Sequence, residues 1–246
     1  MLLSVFSPLW FILFGVDAVL TVIITLLLKN TTINGKAKFM TALAVFNLLY
    51  WVFYKFMLAK EPTFIFRPIM ELPFHLCNIN SILLLFALNT RKPALLNFCY
   101  CCGILGAFMA MAAPDPEFVN IPLFSSIKGY GYWFYHHILV IQSVLLVSTG
   151  FYRPSYREVP KSMVILLIIY FLMFLVNLLV RTLTGVPVNY MYTFGLPGNP
   201  VIEVLHRILP VYPLYLVPAV IPAIPLCMGL VALGRISKGG PDTIHS

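Results

Sequence analysis

The stretch SMVILLIIYFLMFLVNLLV, Ser162 to Val180, contains no charged residue. It matches the length of about 20 apolar residues that a helix needs to cross a hydrocarbon core of about 30 Å. Its apolar positions are continuous rather than alternating, so it reads as a helix and not as a barrel strand. Working outward, six more runs of the same kind fall at about 8–28, 39–58, 73–89, 94–113, 131–150 and 207–233. The expectation is an all-α polytopic transmembrane bundle of seven helices, forming a single integral membrane domain over residues 1–246. Two runs qualify the count. The run at 73–89 is short and polar at its start. The run at 207–233 carries Pro210, Pro213, Pro218, Pro222 and Pro225, which predict a kink or break. If either fails to span, six helices remain.

Composition agrees. Of the 246 residues, 61% are hydrophobic and 10% charged, against about 25% charged in a soluble domain. A soluble enzyme, a disordered chain and a disulfide scaffold are excluded. The net charge of +8 does not point to nucleic acid, because the basic residues lie in short loops between apolar runs, where they act as orientation signals. Ten of them (Lys29, Lys36, Lys38, Arg91, Lys92, Arg153, Arg157, Lys161, Arg235, Lys238) fall on one side. Six (Lys55, Lys60, Arg67, Lys128, Arg181, Arg207) fall on the other. The positive-inside rule then puts the N-terminus outside and the C-terminus in the cytoplasm. The acids Glu61, Glu71, Asp115, Glu117 and Glu203 lie outside, and Trp10 and Trp133 start their helices at the outer interface. The Asn30-Thr31-Thr32 sequon falls on the cytoplasmic side and is expected to be unused. The apolar N-terminus lacks a basic leader and reads as a retained first helix. The two longest loops, 114–130 and 181–206, are both outside and are candidate re-entrant or lid segments. The membrane is a bacterial inner membrane or an endomembrane such as the ER.

The polar groups inside these runs carry the chemistry, since each is costly in lipid. The third run begins Pro73-Phe74-His75-Leu76-Cys77-Asn78-Ile79-Asn80-Ser81. Cys77, Asn80 and Ser81 share a helical face, with His75 and Asn78 alongside. The fifth run begins Tyr130-Gly131-Tyr132-Trp133-Phe134-Tyr135-His136-His137. His136 shares the more polar face with Tyr132 and Ser143; His137 shares one with Trp133, Val140, Ile141 and Val144. Both runs travel outside to inside, so Cys77 and His136 reach similar depths in the outer half of the membrane. An imidazole that meets a thiol there can take its proton, and the thiolate can attack an acyl carbonyl. A helix start near Pro73 adds its positive end beside the thiol, and Asn78 or Asn80 can donate to an oxyanion. Ester carbonyls of phospholipids lie near this depth. The competing reading is interhelical packing with polar glue.

Pro73-Phe74-His75-Leu76-Cys77, Tyr135-His136-His137 and Asn189-Tyr190-Met191-Tyr192 resemble the YwaF-like integral membrane family, which includes the eukaryotic transmembrane protein 164. The resemblance runs from the second helix to about Pro200, and its His-Leu-Cys element is the distinctive part. It implies a lipid acyltransferase that uses a cysteine and a histidine. By position the cysteine falls on Cys77 and the histidine on His136, with His137 as the fallback because the histidine is doubled. The Asn-Tyr element falls on Asn189 and Tyr190, where it would orient the imidazole or bind a headgroup. The implied partners are membrane lipids: a phospholipid acyl donor and a lysophospholipid acceptor. The loop Phe194-Gly195-Leu196-Pro197-Gly198-Asn199-Pro200 and the residue after His136 depart from the family pattern.

No cofactor and no metal are expected, since no Cys/His spacing matches a zinc site. Cys99, Cys101, Cys102 and Cys227 read as core residues. Asp17, deep in the first run, reads as a hydrogen-bonded group with a neighbour such as Asn47. Glu71 reads as a solvated loop acid, Glu203 and His206 as a capping pair, and Gln142 and Asn177 as interhelical glue. The rival function is a small-solute or lipid transporter or flippase built around Asp17 and the proline-broken last helix. A retinal receptor is excluded because 207–233 has no lysine.

Overall fold

A computed structural model describes residues 2–62, 65–119 and 121–236; Lys238 and the Glu117 side chain from the charge count lie outside what it describes. Eight α-helices follow in order: α1 (Pro8–Leu27), α2 (Ile33–Leu58), α3 (Leu76–Thr90), α4 (Pro93–Ala112), α5 (Ile127–Ser148), α6 (Val159–Thr184), α7 (Pro200–Ile208) and α8 (Val220–Ile236). A two-residue antiparallel ladder joins β1 (Leu2–Leu3) to β2 (Ile121–Pro122).

Five segments are long and apolar enough to cross a membrane: α1, α2, α4, α6 with the turn before it, and Leu214–Ile236. The sixth apolar helix, α3, has 15 residues. The helix α5 is long but too polar for that group, and its position compensates. It packs against α1, α2, α3 and α4, so its tyrosines, histidines and glutamine meet protein and not lipid.

The last predicted run, 207–233, is corrected. Helix α7 stops at Ile208, an irregular stretch follows, a 3-10 turn covers Leu214–Ala219, and α8 begins at Val220. Pro210, Pro213 and Pro218 supply no amide hydrogen and crowd the preceding turn, which forbids a continuous helix there. Pro222 falls in the first turn of α8, where a missing amide hydrogen costs little. Pro225 stays inside α8.

Sequence-distant contacts fix the directions of the helices. At one end Trp10 Nε1 donates to the Met111 carbonyl and Tyr50 OH to the Tyr130 carbonyl. At the other, Thr25 bonds Ser148, and Lys36 Nζ donates to the Thr149 carbonyl. Arg91 at the end of α3 bonds Asn34 at the start of α2, and Asn97 at the start of α4 bonds Ser162 at the start of α6, so successive helices from α1 to α6 alternate in direction. Helix α8 lies on α4 and α6, with Tyr100 OH donating to the Leu230 carbonyl and Cys101 Sγ 3.9 Å from the Cys227 carbonyl. Cys99, Cys101, Cys102 and Cys227 are buried free thiols in the main core.

Candidate functional site

The site forms at the bundle end where α3 and α5 begin. His75 is the N-cap of α3, in extended backbone without a side-chain capping bond. Cys77 is the second helical residue and is partly buried. The amide hydrogens of Leu76 and Cys77 precede the first helical acceptor and point out of the helix end. The Cys77 carbonyl is gripped from two sides. Ser81 Oγ donates to it at 3.1 Å and Tyr135 OH at 3.3 Å, and the two hydroxyls lie 3.0 Å apart. Tyr135 belongs to α5, so this three-oxygen knot fixes the first turn of α3 against the histidine turn of α5.

His136 is 7% exposed. Its Nδ1 lies 2.7 Å from the Tyr132 carbonyl. A carbonyl can only accept, so Nδ1 carries the proton and Nε2 the lone pair. The ring sits between Tyr132, 4.4 Å away, and Tyr135, 5.4 Å away. Tyr135 grips the Cys77 carbonyl, and Tyr132 OH donates to the Ala110 carbonyl while its ring stacks on Phe118. The turn of Cys77 and the turn of His136 therefore meet through Tyr135, and among the described residues no hydrogen bond joins Cys77 to His136.

His137 turns to another flank. Its Nδ1 lies 2.5 Å from Asp17 Oδ2 on α1, and its ring meets Phe14 and Trp133. The partner expected for Asp17 was Asn47; that amide instead reaches the Tyr135 carbonyl at 3.5 Å. Asn80 is fully buried and faces α4, where a Cβ on Gly103 would lie 2.8 Å from its Nδ2 and collide with Ser143 Oγ. Neither its amide oxygen nor its nitrogen has a partner among the described residues. Asn78 is buried next to Cys77 in sequence.

Asn189 and Tyr190 brace a turn over this end. Asn189 Oδ1 accepts from the Phe194 amide and its Nδ2 donates to the Gly195 carbonyl. Tyr190 exchanges two backbone bonds with the Asn177 amide group, and its phenol donates to the Ile69 carbonyl. Burial first, and the nearby Glu71 carboxylate second, hold that phenol above its ordinary pKa, so it remains a donor at neutral pH. No hydrogen bond joins Asn189 or Tyr190 to His136 among the described residues; the Tyr190 ring meets Phe74 and His75 instead. The turn carries Met191 and Tyr192 at φ +52° and +58°, a left-handed conformation that non-glycine residues rarely adopt. Neighbours hold it there. Tyr192 OH donates to Asp115 Oδ2 at 2.6 Å, its carbonyl accepts from Tyr215 OH, and its ring lies 5.4 Å from His75. A shallow, mostly apolar groove of about 490 Å³ opens beside Asp115, lined by Ala112, Ala113, Pro114, Pro116, Val119, Gly198 and Pro200.

Glu71 pairs with Lys55, whose ammonium also lies over the Tyr54 ring. His206 packs on Tyr212 and Tyr215. Gln142 and Asn177 do tie elements together, through the Leu43 carbonyl and the Tyr190 turn. No cluster able to hold a metal occurs among the described residues. Sequence reasoning passed over Tyr132, Tyr135, Tyr192 and Asp115 as site residues. The density of tyrosines around the two histidines was the available signal.

The model of the TMEM164 family matches residues 3–231, nearly the whole chain. No curated relative and no solved structure matches.

Proposed function

Because this chain belongs to the TMEM164 family, we propose that it is a membrane-embedded lipid acyltransferase with Cys77 as nucleophile and His136 as base. The observation that carries this reading is the three-oxygen knot of Cys77, Ser81 and Tyr135, because it ties the thiol's helical turn to the turn bearing a histidine in the correct tautomer. His136 is preferred to His137 because His137 is already committed to Asp17.

In the proposed cycle, His136 Nε2 removes the Cys77 proton and the thiolate attacks an ester carbonyl of a phospholipid. The tetrahedral oxyanion takes hydrogen bonds from the outward amide hydrogens at the start of α3, at the positive end of the helix. This replaces Asn80 in that role, since its side chain is enclosed by α4 and α5. Collapse breaks the ester C–O bond, and the imidazolium returns its proton to the departing lysophospholipid alkoxide. The thioester then meets a second lysophospholipid hydroxyl, which gives His136 its proton as it attacks; the thiolate leaves and recovers that proton. Water in place of the second hydroxyl makes the reaction a hydrolysis. The groove beside Asp115 is the place for an acyl chain, and the Asn189–Tyr190 turn covers the headgroup end. In the bilayer we place seven crossings, α1 to α6 and Leu214–Ile236, with the site end outside.

A thiol-reactive phospholipid probe tests the reading. Labelling should map to Cys77, vanish in Cys77→Ser, and fall far more in His136→Ala than in His137→Ala. Undiminished labelling of Cys77→Ser would overturn it. Lipid or solute transport that survives Cys77→Ser but is lost in Asp17→Asn would establish the carrier alternative.

A further inference from the structure

Helix α7 is anchored at both ends to the termini of apolar spans. At its start the N-cap Asn199 donates through Nδ2 to the carbonyl of Ala113, the residue that follows the end of α4. At its finish His206 lays its ring on Tyr212 and Tyr215, 5.0 and 5.5 Å away. Tyr215 falls at the start of the span Leu214–Ile236, and its phenol is fixed to the Tyr192 carbonyl. Both spans reach the membrane surface at the site end, so both anchors of α7 sit at that surface. A helix of nine residues is about 14 Å long, and one held in this way runs along the surface rather than through it.

The sides of α7 differ in kind. At 3.6 residues per turn Val201, Val204 and Ile208 fall within an arc of about 60°. All three are exposed, Val204 at 53% and Ile208 at 65%, and no residue of α7 is buried. Farther along the chain, exposed Val211, Leu214 and Ile221 carry the apolar surface on to the last span. Arg207 lies about 60° round the helix from Val204, and Glu203 about 40° beyond it. Arg207 is exposed and Glu203 half-buried, while His206 is taken up by the two tyrosine rings. An apolar stripe with a guanidinium at its margin suits a helix seated in the membrane interface. There the stripe enters the acyl boundary and the long cation reaches the phosphates. The two anchors supply the tethering that so short a helix lacks by itself.

We propose that α7 is an in-plane interfacial helix whose Val201, Val204 and Ile208 stripe docks into the phospholipid leaflet at the site end, with Arg207 on lipid phosphate. The helix starts at the wall of the groove beside Asp115, since Gly198 and Pro200 line that groove. It therefore seats the groove at the depth where headgroups give way to acyl chains. This seating does not rest on the acyl-transfer reading and holds whatever reaction the site performs.

The test is electron paramagnetic resonance of the full chain in phosphatidylcholine nanodiscs, with a nitroxide at Glu203→Cys, Val204→Cys or Ile208→Cys. Cys77→Ser removes the partly buried native thiol, the other four cysteines are buried, and Cys77→Ser alone gives the labelling background. Collisions with oxygen, which concentrates among acyl chains, are compared with collisions with a water-soluble nickel chelate. Oxygen should dominate at 204 and 208 and the chelate at 203. Adding Arg207→Glu should shift the Val204 label toward the chelate. Dominance of the chelate at all three positions overturns the proposal, because the helix then stands in water. Dominance of oxygen at all three also overturns it, because the helix is then fully immersed. Shielding of 204 and 208 from both reagents assigns the stripe to a protein partner, such as a second copy, and overturns it as well. A Val204 label unmoved by Arg207→Glu overturns the phosphate contact.

Discussion

Gly131→Ala tests the packing that positions the site. Gly131 sits in the first turns of α5, directly before Tyr132 and five residues before His136. A Cβ built there lies 2.5 Å from Tyr54 Cγ and still closer to two other ring carbons. Ordinary carbon contact begins near 3.5 Å, so the α2 side of the interface must retreat by about 1 Å. Tyr54 Cγ is only two bonds from the backbone, so turning the ring relieves little of the clash and α2 itself must move. Overpacking of this kind costs about 1–3 kcal/mol, against a gain of about 1 kcal/mol from replacing a helical glycine by alanine. The expected net loss is about 0–2 kcal/mol. Function should suffer more than stability, because a misplacement of about 1 Å at a reacting group costs roughly 100-fold in rate. The assay pairs thermal unfolding in one detergent with the rate of Cys77 labelling by the lipid probe. Gly229→Ala is the control, since nothing lies within 4 Å of a Cβ there; it should unfold at the same or a higher temperature with unchanged labelling. If Gly131→Ala behaves like Gly229→Ala on both measures, the close α2–α5 approach is not what positions His136.

Other outcomes follow from the same contacts. Tyr135→Phe removes the phenol's hydrogen bond to the Cys77–Ser81 knot but leaves Ser81 bonded to the Cys77 carbonyl, so stability should fall by only about 1 kcal/mol while labelling of Cys77 slows at least tenfold; an equal labelling rate would show the knot to be incidental. Asp17→Ala leaves His137 without the carboxylate that holds its Nδ1 and should destabilise by about 3–5 kcal/mol, read as a lowered unfolding temperature. Asn177→Leu removes three bonds from the 190–193 turn and should speed protease cleavage within 186–199 while α6 stays intact; resistance equal to the native protein would count against the bracing role.

The apolar helices were legible because lipid-facing segments exclude charge. Their ends were not. Helix α2 was expected from residue 39 but starts at Ile33, capped by Thr32 Oγ1. Lys36 and Lys38 end a hydropathic run without ending a helix, since a helix can continue past the lipid boundary. The proline break was legible in kind, but not the separate helix α7. Asn199 caps that helix through the amides of Val201 and Ile202, a local signal that a search for long apolar runs discards. Within the site, spacing assigned His136 and His137 to different faces of α5, as they lie. It could not say that the face of His137 meets α1, because periodicity orders residues around one helix and carries no information about which neighbour arrives there. The roles of Asn80 and Tyr190 were hidden for the same reason: one is enclosed through Gly103, the other fastened through Asn177.

The Asp17–His137 pair also bears on how the chain enters the membrane. The two residues are 120 positions apart, and a ribosome delivers α1 long before α5 exists. During that interval the first helix must sit in lipid with an acidic side chain and no imidazole to meet it, a penalty of about 2.5–3.5 kcal/mol at the middle of a span. The remaining residues of α1 offset that penalty, since an 18-residue window of the helix averages a hydropathy of 2.4 with Asp17 counted in it. The greasiness of the first segment thus serves biogenesis as well as the finished bundle, and docking of the fifth segment relieves the wait.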